Sequence, residues 1–207
     1  MAYRRTRRVK QRLAENRERI VLGARQLIAR GGLRQARMAA VASAAGLSTG
    51  ALYKYFPSQT DLLIEVLREA VGHEIGILQR VAREPGTAAQ RLRRAVESFV
   101  RRALEGPHLS YAFIAEPADA RVDTARLRAR RALTEVYQGI VREGIAAGEF
   151  PEQDLDVTAA CIFGAFTEAL VGPIAARAVR DQDKLVAAIV TFCERAVAGK
   201  SVIPAPD

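Results

Sequence analysis

The chain has 207 residues, 49% of them hydrophobic, and a formal net charge of +9. That apolar content excludes a disordered chain and is enough for a buried core. No apolar run reaches the roughly 18–20 residues of a membrane span, and the basic N-terminus lacks the apolar stretch of a signal peptide. These absences predict a cytoplasmic protein without a membrane partner.

In chain order, the first dozen residues read as a charged arm, MAYRRTRRVKQR. A helix is predicted from about Gln11 to Arg30, with Ile20, Ala24, Leu27 and Ile28 forming one buried stripe and Gly31-Gly32 ending it. Two short helices then flank a tight turn in MAAVASAAGLSTGALYKYFP, residues 38–57. Val41, Ala42, Ala45 and Leu47 supply one apolar face, and Leu52, Tyr55 and Phe56 the next. Gly46 stands at the turn, where φ > 0 is needed, and Ala42 is small enough to let the helices cross closely. This is the spacing of a helix-turn-helix, whose second helix enters the major groove of DNA. Ser58 with Asp61 reads as a capping-box variant that opens a helix running to about Arg83.

The remainder reads as helical throughout. Thr87 can cap a helix to Leu104 with Leu92, Val96, Phe99, Val100 and Ala103 on one face. Gly106-Pro107 breaks it, and a short apolar segment from Leu109 to Ala115 ends at Glu116-Pro117. A long helix is predicted from about Asp123 to Ala147, with Gly148 at its C-terminal cap. Two last helices, about Asp154 to Val179 and Lys184 to Ala198, are apolar on more than one face, and Pro173 should kink or end the first. Cys161 and Cys193 lie in these apolar patterns and read as buried reduced thiols, with a redox pair as the alternative. The fold class is therefore all-α: an N-terminal helix-turn-helix domain with its basic arm, residues 1–58, and a C-terminal helical domain, residues 59–207.

Charge supports the division. Residues 1–60 hold 13 Lys or Arg against two acids, Glu15 and Glu18, whereas residues 61–207 hold 19 basic and 21 acidic residues. A basic unit joined to a nearly neutral one suits a polyanion binder with a separate second function. The excess of Arg over Lys, 28 to 4, runs through the whole chain.

The segment from Ile20 to Leu67 resembles the DNA-binding domain of TetR-family transcriptional regulators. The matching residues are Arg30-Gly31-Gly32, Val41-Ala42, Ala44-Ala45-Gly46-Leu47-Ser48, Gly50, Leu52-Tyr53, Tyr55-Phe56, Ser58 and Leu62-Leu63. The string AGLSTGALYKYFPS carries the resemblance most specifically. Two departures stand out: Ala36 and Arg37 replace a usual Thr or Ser, and Gln59 replaces a usual Lys. The resemblance implies a homodimeric repressor on a double-stranded, palindromic operator, released by a small-molecule effector. An activator of the same family, or a DNA-binding protein without an effector, are the alternatives.

Candidate DNA contacts are Arg37, Ser48, Thr49, Gly50, Tyr53, Lys54 and Tyr55. Ser48 can cap the recognition helix, and Thr49 and Gly50 sit at its positive end, where a phosphate or base edge is favoured. Lys54 can read a guanine edge or a phosphate. Tyr53 and Tyr55 resemble family positions that bond phosphate, although Tyr55 also fits a core role. The arm Arg4-Arg5-Thr6-Arg7-Arg8 can enter a minor groove or add nonspecific attraction.

Candidate effector contacts are Phe99, Tyr111, Phe113, Glu116, Tyr137, Phe166 and Glu168, each of which also fits a core position. Glu168, in an apolar helix, would need a partner if buried. For dimerisation, Ala160, Gly164 and Gly172 put small residues on one stripe, and Ile189, Val190 and Phe192 to Val197 offer an apolar partner surface. Two such helix pairs make a four-helix bundle across a twofold axis. No cofactor is implied. His73 and His108 lack metal-ligand spacing, and there is no phosphate loop or nucleophile elbow, so an enzyme is not expected.

Overall fold

A computed structural model describes residues 7–199. Among them the backbone forms α1 (Arg7–Gly31), a 3-10 turn (Leu33–Gln35), α2 (Met38–Ala44), α3 (Thr49–Tyr53), α4 (Gln59–Ala82), α5 (Ala88–Glu105), α6 (Pro107–Ile114), α7 (Ala120–Ala146), α8 (Leu155–Ala176) and α9 (Gln182–Ala198), with no strand. The sequence reading of helix number and order agrees with this. Of the basic arm, residues 4–6 lie outside the described residues, and α1 begins at Arg7 rather than near Gln11.

The helix ends follow from local chemistry. Gly32 adopts φ 80° and Gly46 φ 67°, so both sharp turns of the N-terminal unit use the left-handed region that side chains avoid. Ser58 Oγ accepts from the Asp61 N–H at 3.1 Å and donates to the Asp61 carboxylate at 2.6 Å. Thr87 and Gln90 form a reciprocal capping box on α5. A second carboxylate completes that end: Glu149 accepts from the Ala88 and Ala89 N–H groups at 2.9 and 3.0 Å. Those backbone bonds hold its carboxyl below the ordinary range. Asp119 caps α7, which starts at Ala120, three residues before the Asp123 start expected. Pro173 does not stop α8 at once; the helix runs on to Ala176 and ends at Arg177, whose φ is 52°.

Two apolar cores result. The first joins Ile20, Ala24 and Ile28 of α1 to Val41 and Ala42 of α2, Leu52 of α3, Phe56, and Leu62 and Val66 of α4. It also takes in Ala112 of α6 and Val122 of α7. The second core holds Leu78, Leu92, Val96, Val100, Tyr137, Ile140, Phe166, Leu170, Val186, Val190 and Cys193. α4 contributes to both cores, so the first unit extends two turns past residue 58.

Two expectations about α8 and the cysteines need correction. α8 is 22 residues long with a mean hydropathy of 1.6 over its most apolar window, which by length and composition would suit a membrane span. Here Ile162, Phe163, Phe166, Leu170 and Ile174 turn one side of it into the second core. Cys193 is buried, and burial pushes its thiol up to about 12, but Cys161 is exposed on the opposite side of α8.

An ionic clamp fixes the N-terminal unit. Glu65 of α4 is only 9% exposed. It accepts from Arg68 at 3.0 and 2.6 Å and pairs with Arg17 of α1 at 3.0 Å. The Arg17 guanidinium also lies 4.5 Å from the centre of the Phe56 ring, just beyond the recognition helix. Arg68, with Arg17, holds the Glu65 carboxyl below the ordinary range against the cost of burial. The resulting stability is fully present above the unfolded pKa of about 4.3 and is lost as pH falls through the lower folded value. Glu65→Gln should therefore cost about 1–3 kcal/mol at neutral pH in urea unfolding. The cost should shrink steadily as the pH drops below about 4.3. Equal destabilisation at both ends of that pH range would show that Glu65 acts by packing rather than by charge.

Candidate functional site

The candidate recognition surface is built outward from a buried anchor. Leu52 is fully buried and anchors α3, so the residues around it are turned to solvent. Thr49, Gly50, Tyr53 and Lys54 are exposed, Tyr53 by 48%. Ser48 Oγ accepts from the Ala51 N–H at 3.2 Å and caps the helix. A Cβ added at Gly50 would meet nothing within 4 Å, so nothing in the chain itself requires glycine there. α3 is only five residues long, Thr49–Tyr53. Its end tightens, with the Tyr55 N–H reaching the Leu52 carbonyl at 2.9 Å.

Tyr55 is half-buried against the first core, and its hydroxyl accepts from Asn16 Nδ2 at 2.9 Å. The ring thus takes the core position, and the hydroxyl is held toward α1. Arg37 occupies the N-cap of α2 without any side-chain bond to the helix and is exposed. Arg19 was not singled out from sequence. Its guanidinium donates to the Ala45 carbonyl at the end of α2 and lies 3.0 Å from where a Gly46 Cβ would be. An arginine one helix away in sequence carries no local signal of such a role.

The second feature is a partly open cavity of about 420 Å³ lined by α4, α5, α6, α7 and α8 and by Arg25 of α1. Leu67, Ala70 and Val71 of α4, Phe99 and Ala103 of α5, and Leu109, Phe113 and Ile114 of α6 give it apolar walls. Leu133 and Phe163 close the side formed by α7 and α8. Glu74 and Arg102 also line it; they pair through two contacts, Arg102 Nε to Glu74 Oε2 at 3.0 Å being one.

Of the effector candidates, the structure brings only Phe99 and Phe113 to this wall. Tyr137 and Phe166 are fully buried behind it, in an aromatic cluster with Phe99 and Phe163 at ring separations of 5.1–6.0 Å. Burial raises the Tyr137 hydroxyl pKa well above its ordinary value. Tyr111 packs at the edge of the second core. Glu168 is exposed on the outer side of α8, on the Ala160–Gly164–Gly172 stripe, so no buried partner is needed. Leu67, Leu109 and Leu133 were missed because, in sequence, a cavity leucine and a core leucine obey the same helical spacing.

Glu116 has a different place. Its carboxylate oxygens accept from the Leu33 N–H at 3.2 and 3.0 Å. A Cβ on Gly32 would fall 2.8 Å from both oxygens. The residue that closes α6 therefore holds the turn leading into α2, and a cavity wall is bonded to the helix-turn-helix. Arg121 of α7 adds a 2.5 Å pair with Asp61 at the start of α4. Ser58 and Arg121 hold the Asp61 carboxyl below its ordinary range.

On the outer side of α8 and α9, Val157 and Phe192 are each 58% exposed. Ala160, Cys161 and Gly172 are exposed beside them, and a Cβ on Gly164 would meet nothing. The α9 surface differs from expectation: Ile189, Val190, Cys193 and Val197 turn into the chain's own core, leaving Ala188, Thr191, Phe192, Arg195 and Ala196 outside. Helical periodicity cannot say which of two apolar faces is the inner one.

Comparison with known proteins agrees with both halves. The profile described as "Bacterial regulatory proteins, tetR family" matches residues 20–66, and "Tetracyclin repressor-like, C-terminal domain" matches residues 85–171. The "Fatty acid metabolism regulator protein" of Bacillus subtilis (strain 168) is 30% identical over 156 residues, 72% of this chain and 78% of that protein. The "HTH-type transcriptional repressor KstR" of Mycolicibacterium smegmatis is 34% identical over 98 residues, 47% of this chain and 48% of its own. Among solved structures, the regulator FadR from Bacillus subtilis in complex with stearoyl-CoA superposes with a TM-score of 0.75 at 23% identity, covering 88% of this chain and 98% of that one. RolR in complex with resorcinol gives 0.67 at 24% identity, covering 96% and 98%. The chain belongs to the TetR family of bacterial regulatory proteins: it is a DNA-binding transcriptional regulator and not an enzyme.

Proposed function

We propose that the protein acts in the cytoplasm as a homodimer on a palindromic operator and is released when an effector with a long apolar chain, of the acyl thioester type, fills the cavity. The observation that carries this reading is the cavity itself: about 420 Å³, walled by leucine, phenylalanine and alanine, with α6 as a wall that also packs into the DNA-binding core. Its volume lies in the usual range for a small-molecule site. The relative that regulates fatty acid metabolism and the solved regulator that holds stearoyl-CoA favour an acyl ligand.

On the DNA side, Thr49, Gly50, Tyr53 and Lys54 form the exposed edge that would enter the major groove, with Ser48 setting the start of the helix. Arg37 and Tyr55 would flank it on phosphates. Dimerisation would seat the small, apolar outer faces of α8 and α9 against a second copy. An effector shifts the equilibrium only through different affinities for the DNA-competent and DNA-incompetent states, and coupling of about 1–3 kcal/mol is usual.

Three measurements test the reading. With a duplex selected from random-sequence DNA, binding should require two symmetric half-sites and weaken steeply with salt. Lys54→Ala should reduce the salt slope by about one, and Tyr53→Phe should weaken binding with the fold intact. Normal binding by both variants would put the recognition surface elsewhere. Stearoyl-CoA should raise the melting temperature of the protein and lower its operator affinity by roughly 5–150-fold; a bound acyl-CoA that leaves operator affinity unchanged would not be the effector. Gly164→Leu meets open space in the single chain. It should therefore convert a sedimenting dimer to a monomer while helicity is retained, and a wild-type monomer at micromolar concentration would overturn the dimer.

A further inference from the structure

The cavity is apolar along most of its wall, but its charges are unevenly placed. It carries four arginines, Arg25, Arg102, Arg126 and Arg130, against two glutamates, Glu74 and Glu105, with His73 beside them. Glu74 is already engaged by Arg102, on the α4–α5 side. The other three arginines come from α1 and α7.

Arg126 and Arg130 lie one turn apart on α7, and both reach across to the C-terminal carbonyls of α6. Arg126 donates to the Ala112 carbonyl and Arg130 to the Ile114 carbonyl at 3.5 Å. Arg126 is 8% exposed, and its buried Nε finds no acceptor among the described residues. Its carboxylate partner, Asp123 at 2.7 Å, is mostly exposed. A guanidinium held in a nearly dry place with an unused donor is costly unless an anion completes it. Arg130 has one long bond to a carbonyl and is exposed at the wall. Arg25 comes from α1, in the DNA-binding unit, and forms no ion pair among the described residues.

We propose that Arg25, Arg126 and Arg130 form an anion subsite at the end of the cavity bordered by α1, α6 and α7, and that this subsite selects effectors with an anionic group joined to the apolar chain. The proposal rests on the acyl reading above and names the group that directs binding. Planar guanidinium groups match either a carboxylate or a phosphate, so the shared chemistry is an oxyanion on an apolar tail. Because one of the three arginines belongs to the first unit and the other two hold the end of α6, the anion would bridge both halves of the chain. It would draw Arg126 and Arg130 from the α6 carbonyls toward itself.

The test uses the full chain, calorimetry below aggregate-forming concentrations, and three C18 probes: stearoyl-CoA, stearate and the uncharged glyceryl monostearate. At least one anionic probe should bind on the order of tenfold or more tighter than the neutral one. Binding of stearate as well as stearoyl-CoA would identify a carboxylate reader, and binding of stearoyl-CoA alone a phosphate reader. Arg25→Gln and Arg130→Gln replace exposed side chains and should each remove most of that preference while leaving affinity for glyceryl monostearate unchanged. Equal binding of all three probes, or variants that keep the full preference, would overturn the subsite and leave the acyl reading standing. If none of the three binds, the acyl reading fails and the subsite fails with it.

Discussion

The structure depends on one eight-residue helix serving two cores at once. α6 puts Ala112 into the DNA-binding core beside Val122, and puts Leu109, Phe113 and Ile114 on the wall of the cavity. A helix this short has too few bonds to stand alone, so its position is set from outside. Arginines of α7 hold its last carbonyls, and Glu116, just past its end, bonds the turn that begins at Leu33. Whatever displaces that wall therefore pulls on the path into α2. Hydrogen bonds and packing thus join the cavity wall to the turn that leads into α2.

Charge in this chain does two jobs that composition merges. The strongly basic first 60 residues suit a polyanion binder, yet two of those arginines bond to other parts of the chain. Arg17 closes the Glu65 clamp and covers Phe56, and Arg19 holds the end of α2. Both brace the elements on either side of α3. Lys54, by contrast, stands exposed at the end of α3. A count of basic residues cannot separate these uses, because the partner of each guanidinium is supplied by another helix.

The DNA-binding half was legible because its signals are local. Gly46 needs φ > 0 where two helices cross, Ser48 caps the helix it precedes, and Leu52 and Phe56 anchor it from beneath; each consequence lies within a few residues of its cause. The cavity was not legible in the same way. Tyr137 and Phe166 look as suitable as Phe99 for a ligand contact, since all three are aromatics on amphipathic helices. Only the rotation of α5, α7 and α8 about their axes leaves Phe99 at the wall and the other two behind it. Glu116 drew notice as a carboxylate beside a proline, but its partner is a backbone amide 83 residues away.

By itself the sequence determined the helix order, the caps at Ser48, Ser58 and Thr87, and the helix-turn-helix, because backbone bonding, capping and periodicity act over one to four residues. Tertiary structure decided what requires helices far apart in the chain to meet. It set which arginines face a cavity and which clamp a helix end, which side of α8 and α9 turns inward, and where α4 passes from one core to the other. The reason is geometric: a repeat of 3.6 residues says which side chains share a face, but not which neighbour that face will meet.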